Sequence, residues 1–415
     1  MIARSDVAIG AGERTTHPAV FLFLNVPFGA LSGYIAVTLA YLLAQGGVSA
    51  EDIAELVAVS VLPNTWKFAW APLVDTTLTR KAWYALGTIA TAVGAVCMGF
   101  VPVGAAGMPL LTLTVFVASL ANTFEAIAAD ALIAYATDEK GKGRAGGWYQ
   151  AGNLGGYGIG GGAALWLAQA LPEPWIAGAA IGAACALCCI ALFFIGEGPA
   201  MRPVAGLRRN LIEVGRDLWS VAQSRRGFLG LLICFLPIGT GAASNLWAAV
   251  ADDWHASANT VALATGVVSG LVSAVGCVLG GYVSDRIDRK LSYVLYGLLQ
   301  ALCAVAMALA ARTDLMYVVF TLIYALITGL TYAGFSAVVL EAIGRGAAAT
   351  KYNVFASLSN IPIAYMTVVE GWARTRWNEG AMLYAEAAIG MAALLFFGAV
   401  AAASARGRRA NAARG

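Results

Sequence analysis

Long apolar runs without polar alternation fill most of the chain, broken by short polar segments rich in Lys, Arg, Asp and Gly. A helix needs about 20 mostly apolar residues to cross a bilayer, and twelve runs of that length occur, at 19–45, 53–74, 82–101, 109–136, 147–170, 176–196, 227–250, 260–283, 291–311, 315–343, 352–373 and 381–403. Only helices and closed barrels satisfy the backbone inside hydrocarbon, and runs of this length without a period of two argue for helices. The predicted fold is an all-α membrane protein of twelve transmembrane helices. The one long gap between runs is 197–226. Its Leu207, Leu211 and Leu218 interleave with Arg208, Arg209, Glu213, Arg216 and Asp217, a pattern suited to an amphipathic helix on the membrane surface.

Composition narrows the class further. Of 415 residues, 60% are hydrophobic and only 12% charged, about half the charge that covers a soluble surface. An ordinary soluble enzyme is excluded, and so are disordered and collagen-like chains, because the 48 glycines follow no G-X-Y period. Charge placement sets the topology: 22 of the 26 Lys and Arg fall in the tails and in alternate loops that share one side of the membrane. Basic loops stay in the cytoplasm, so both termini are expected inside the cell, with the protein multi-pass in the cytoplasmic membrane. The net charge of +3 follows from this topology and does not point to nucleic acid. Charged residues before the first run favour a retained helix over a cleaved signal. All seven cysteines fall within predicted spans, and His17 and His255 are the only histidines. Small-residue packing explains Cys185, Cys188 and Cys189 better than redox or metal chemistry, and no cofactor or metal is expected.

The two halves of the chain repeat at an offset of about 210 residues. Residues 281–290 read Gly-Tyr-Val-Ser-Asp-Arg-Ile-Asp-Arg-Lys, and 71–81 read Ala-Pro-Leu-Val-Asp-Thr-Thr-Leu-Thr-Arg-Lys, which places Asp75 and Asp285 in register. An acidic residue beside basic ones at a helix end can cap one helix and pair with its neighbour. Gly281, Asp285, Arg286, Arg289 and Lys290 resemble the loop signature of the major facilitator superfamily. The first copy, with Asp75, Arg80 and Lys81, departs from it by Ala71 in place of the glycine and by one extra residue. The resemblance implies two six-helix bundles related by a pseudo-two-fold axis along the membrane normal, with solute bound between them at mid-depth. It divides the chain into an N-terminal bundle (1–200), a cytoplasmic linker (201–226) and a C-terminal bundle (227–415), and it gives the loop residues a gating role. Pro27-Phe28-Gly29, and above all the string Leu62-Pro63-Asn64-Thr65-Trp66-Lys67-Phe68-Ala69-Trp70-Ala71-Pro72-Leu73-Val74-Asp75, are similar to the branch containing muropeptide permeases, acetyl-CoA transporters and certain siderophore permeases.

Ionisable residues amid hydrocarbon cost roughly 2.5 to 3.5 kcal/mol each on insertion scales, so each requires a partner or water. Lys67 lies eight residues before Asp75, and Asp130 eight before Asp138. With both helices running the same way, the two side chains sit level, roughly 12 Å from the inner boundary, and can pair. Glu125 lies higher on the helix of Asp130, which the resemblance makes a cavity-lining span. Glu125 or Asp130 can therefore take up a proton while Lys67 contacts an anionic solute, since protonation changes what Lys67 pairs with; a fixed ion pair locking two helices is the other reading. Asn25, Tyr34, Asn245, Tyr332 and Asn360 either bind polar solute groups or bridge helices. Glu341 reads as a surface partner of Arg345, and Glu370, one turn before Arg374, and Glu386 read as interfacial.

These readings converge on a proton-coupled secondary transporter that imports a polar, anionic organic solute, siderophore-like or muropeptide-like, by alternating access. Export or antiport of a small solute and acyl-CoA-type transport are the alternatives within that class; a membrane-embedded enzyme and a transporter-like sensor lie outside it. The expected partners are a small-molecule solute, protons and the lipid bilayer, and the protein is expected to be a monomer.

Overall fold

The computed structural model describes residues 16–173, 175–196, 207–344 and 348–412. The described residues form thirteen helical rods. In the first half these are α1 (Val20–Gln45), α2 (50–76), α3 (Arg80–Phe100), α4 (Met108–Ala136), α5 (142–170) and α6 (Trp175–Phe194). Helix α7 (Leu207–Gln223) links the halves. The second half contains α8 (225–250), α9 (258–284), α10 (Arg289–Leu309), α11 (Asp314–Ile343), α12 (Ala348–Arg376) and α13 (Glu379–Ala412). Setting α7 aside, the rods match the twelve predicted spans in order, as two six-helix bundles. Eight are long and apolar enough to cross a membrane on length and composition alone. The other four are α2, α5, α8 and α12.

Side-chain caps fix where several rods begin. Ser49, Thr79, Ser224 and Thr313 each accept a backbone N–H of the first turn they precede, and Asp288 accepts two, satisfying donors that would otherwise be stranded. Apolar side chains such as Phe100, Trp166, Phe193 and Leu309 face outward, where lipid rather than water is their solvent. On α7, Ile212 and Trp219 are likewise exposed.

Glycine sets how closely the rods approach. Within the first half, a Cβ on Gly29 of α1 would lie 1.9 Å from the Asn153 carbonyl oxygen of α5, so these backbones touch. Both helices widen into a π-helical stretch side by side, Tyr34–Leu39 and Ile159–Ala163, where the Thr38 hydroxyl donates to the carbonyls of Gly160 and Gly161. Between the halves, α5 runs along α9 from Gly143 beside Gly281 to Gly158 beside Gly270. That glycine seam holds the two bundles together on one flank of the central space.

Candidate functional site

The first charge at the centre of the molecule is positioned by a break in α2. The helix ends at Trp66, Lys67–Ala69 form a 3-10 turn, and the chain resumes helix at Ala71–Thr76 with Pro72 in its first turn, where a missing N–H costs nothing. Trp70 pins the turn to α4 by donating its indole N–H to Thr123 Oγ1 at 3.0 Å and stacking on Phe124. Lys67 is thereby pushed inward and is only 7% exposed. Its ammonium lies 5.5 Å over the Phe28 ring of α1 and 4.0 Å from Asp130 Oδ2 of α4. That separation is an ion pair without a hydrogen bond, and Oδ2 has no hydrogen-bond partner. The other oxygen, Oδ1, accepts the Tyr149 hydroxyl of α5 at 2.7 Å.

Lys67, Asp130 and Tyr149 line a cavity of about 280 Å³ between the halves. The first half supplies a polar wall in which Asn25, Asn64, Gln150 and Asn153 surround the ion pair. The second half supplies a mixed wall: Ile233, Leu236, Ile238, Phe335 and Ile363 are apolar, whereas Thr331, Tyr332, Tyr352, Ser359 and Asn360 carry hydrogen-bonding groups. Asn25, Lys67, Asp130, Tyr332 and Asn360 are thus brought to one cavity. Asn25 also donates to the Tyr149 carbonyl, a contact between helices.

Three predicted site residues lie elsewhere. Glu125 is fully buried on another side of α4, with its backbone against Gly87 of α3 and Oε2 near the Asn122 amide at 3.4 Å; it does not line the cavity. Five residues separate it from Asp130, about 140° around a helix, so the two carboxylates cannot share a face. Tyr34 is nine residues from Asn25, two and a half turns, and faces the opposite way, with its hydroxyl near Gly178 of α6. Asn245 sits in a 3-10 stretch of α8 and donates to Thr367 of α12, bridging two helices of one bundle. The interfacial reading of Glu370 and Glu386 is also corrected: both are buried, at 0% and 5% exposure, and Arg374 pairs instead with Asp253.

The paired acidic residues of the repeat lie below the cavity, at the end of the molecule that carries α7. Asp285, just after α9, accepts the backbone N–H groups of Gly143 and Arg144 and the Arg144 Nε at 2.7, 3.0 and 2.8 Å. Asp75, near the end of α2, accepts the backbone N–H groups of Ala349 and Thr350 and the Thr350 hydroxyl at 3.3, 2.9 and 2.8 Å. Each half therefore caps a helix of the other, α5 and α12. Around them Arg80 lies 3.8 Å from the Tyr135 ring centre, Lys81 is part-buried, and Arg286 is exposed. Arg289 reaches both Glu139 of the first half and Glu341 of the second, and Lys290 also binds Glu341, at 3.0 Å. Glu341 thus pairs with α10, and with Arg226; Arg345 lies outside the described residues. Partial burial opposes ionisation of Glu139, but its hydrogen bond to Lys142 and the nearby charges of Lys142, Arg289 and Arg226 hold its carboxyl below the usual value. Among the described residues, no hydrogen bond or ion pair joins the halves at the opposite end.

Tyr149, Tyr352 and Gln150 are cavity residues that the sequence reading did not single out. Their signal was their place at the start of α5 and α12, one to two turns beyond the capped ends. There Tyr149 and Tyr352 meet edge to face at 6.4 Å and form part of the cavity's floor.

No curated protein matches the chain. Among solved structures it superposes on a proton:xylose symporter with a TM-score of 0.69 at 14% identity, covering 91% of this chain and 94% of that one. The Escherichia coli fucose:proton symporter gives 0.71 at 13% identity over 92% and 97% of the two chains. The human organic anion transporter gives 0.68 at 14% identity over 91% and 98%. At such identity these likenesses establish the fold. The Major Facilitator Superfamily profile matches residues 21–367, and the chain, a multi-pass membrane protein, belongs to that superfamily.

Proposed function

We propose that the protein is a proton-coupled symporter of the cytoplasmic membrane that imports a polar, anionic organic solute by alternating access. The observation that carries this reading is the buried Lys67 and Asp130 pair, facing each other at 4.0 Å inside the central cavity. Ionised, Asp130 neutralises Lys67. When Asp130 takes a proton, Lys67 is left as an unbalanced cation in a low-dielectric cavity, and the anionic group of a solute restores neutrality. Proton and anion then move together with no net charge left behind. Tyr149 holds one oxygen of Asp130 in place, so the proton enters at Oδ2, the oxygen that faces Lys67. Glu125, closed off from the solute, acts through its field on the pair and serves as a second proton acceptor within the N-terminal bundle.

The amides of Asn25, Asn64, Gln150, Asn153 and Asn360, with the Tyr332 phenol, suit a solute with several hydrogen-bonding groups, and the apolar patches of the second half suit a hydrophobic part. A cavity of about 280 Å³ takes a compact anion or one end of a longer molecule such as a siderophore or muropeptide. Asp75, Arg80 and Lys81, together with Gly281, Asp285, Arg286, Arg289 and Lys290, form the inner gate, closed here. Two of the superposed structures are proton symporters and one is an organic anion transporter, which favours this reading over an embedded enzyme or a sensor.

The test is uptake into proteoliposomes from a panel of siderophores, muropeptides, acyl-CoA conjugates and simple carboxylates, with and without an inward proton gradient. At least one anionic solute should accumulate only with the gradient. Accumulation that ignores the gradient, or flux of none of the panel, would remove the proposal.

A further inference from the structure

A second group of buried polar side chains lies in the C-terminal bundle, away from the central cavity. Glu370 of α12 is 0% exposed and neither of its oxygens has a hydrogen-bond partner. Glu386 of α13 is 5% exposed; Oε1 accepts the Tyr324 hydroxyl of α11 at 2.5 Å, and Oε2 has no partner. Six residues separate Glu370 from the end of α12 and seven separate Glu386 from the start of α13, so both sit about 10 Å down the same helical hairpin. Helices α12 and α13 pack against each other along this hairpin, and at that shared level both acids are buried.

No basic residue pairs with either carboxylate among the described residues. Arg374, one turn beyond Glu370, binds Asp253, and Arg312 lies over the Trp254 ring. Among the described residues, the group that touches Glu386 is the neutral Tyr324 phenol, against which Trp247 of α8 packs edge on, in a cluster that includes Cys303 of α10. Gln300 of α10 is likewise buried, at 1% exposure, and neither of its polar atoms has a hydrogen-bond partner. Two carboxylates buried at one level of a helical hairpin without a cation cannot both stay ionised in such a medium.

We propose that Glu370 and Glu386 form a proton-binding site carried wholly by the C-terminal bundle, in which the two carboxylates hold one proton between them. Loading removes one negative charge from the α12 and α13 hairpin. Because α12 begins at the Asp75 clasp and lines the cavity at Asn360, the charge at Glu370 bears on the helix that the gate and the solute share. That consequence rests on the transport reading above; the site itself does not.

The experiment is infrared difference spectroscopy of the purified full-length protein in lipid, titrated with acid and base. The wild type should show a carboxylic-acid carbonyl band near neutral pH that Asp130→Asn and Glu125→Gln leave in place and that the Glu370→Gln/Glu386→Gln double variant loses. Glu386→Gln alone keeps the shape of the site and removes the neighbouring charge, so it should lower the proton affinity of Glu370 by about tenfold or more. A band indifferent to the double variant would overturn the proposal, as would a titration midpoint unmoved by Glu386→Gln. So would a wild-type band abolished by adding sodium at fixed pH, which would make the site one for a metal cation. Uptake that ignores the proton gradient while the band behaves as expected would count against the transport reading and leave this site standing.

Discussion

At the scale of single residues, Lys67 and Asp130 make each other tolerable. Removing one partner of a buried pair strands the other at a cost of about 3 to 5 kcal/mol, so Lys67→Met and Asp130→Asn should each destabilise the purified protein in a thermal melt, and the double variant Lys67→Met/Asp130→Asn should recover much of the loss. A double variant no more stable than the singles would count against a coupled pair. Tyr149→Phe removes a hydrogen bond to a charged group, worth about 1.5 to 3 kcal/mol. It should move the pH profile of uptake toward alkaline values, because the ionised form of Asp130 loses a donor; an unchanged profile would show that the bond plays no part in coupling. Much of this was legible in the sequence. Counting eight residues back from Asp75 and from Asp138 puts Lys67 and Asp130 level. Helical phase also held information that polarity alone does not, since Tyr34 lies half a turn out of phase with Asn25, and Glu125 about 140° from Asp130. Tyr149 carried no such mark, because a phenol on a glycine-rich helix has no periodic neighbours to declare its face.

At the scale of elements, the two clasps are helix caps made across the interface. A lost cap costs about 0.5 to 2 kcal/mol, enough to shift a balanced open and closed equilibrium by about 2- to 30-fold. Asp285→Ala and Asp75→Ala should each shift the ensemble toward separation of α5 from α9 and of α2 from α12 at the α7 end, read as longer distances between spin labels placed there. Gly143→Val should do the same more strongly, since its Cβ would meet the Gly281 carbonyl at 2.5 Å. Unchanged distances in all three variants would mean that the contacts do not hold the gate. The repeat announced both aspartates, but the helices they cap were hidden. The donors are backbone N–H groups from the opposite half, and backbone donors leave no trace in residue identity. Helix α8 shows the limit of phase counting: its non-helical stretch at 236–241 breaks the register, which is why Asn245 turns to Thr367 rather than to the cavity. Glu370 and Glu386 were misread because distance along a helix from its end measures depth and does not show that the hairpin packs both acids inward.

At the scale of the whole molecule, the halves are joined by polar contacts at the α7 end only, among the described residues, and the cavity lies above them. On the alternating access proposed above, the clasps break as contacts form at the other end. Acid should weaken the closed end. Glu139 has its carboxyl held below the ordinary value of 4.5, so the stabilisation it lends is fully present above that value and is lost as pH falls below it. Because the side chain is 67% exposed, salt should screen the same contact. Label distances between the 137–141 loop and α10 should lengthen on acidification below about pH 4.5 and change little between pH 6 and 8; a step near neutrality would locate the responsible group elsewhere. The most direct test of the account concerns Asp130. In proteoliposomes carrying the Asp130→Asn variant, the solute found from the panel should no longer accumulate against its gradient when a proton gradient is imposed, while exchange of labelled for unlabelled solute continues. Proton-driven accumulation at the wild-type level in that variant would contradict the claim that the central ion pair couples the proton to the solute.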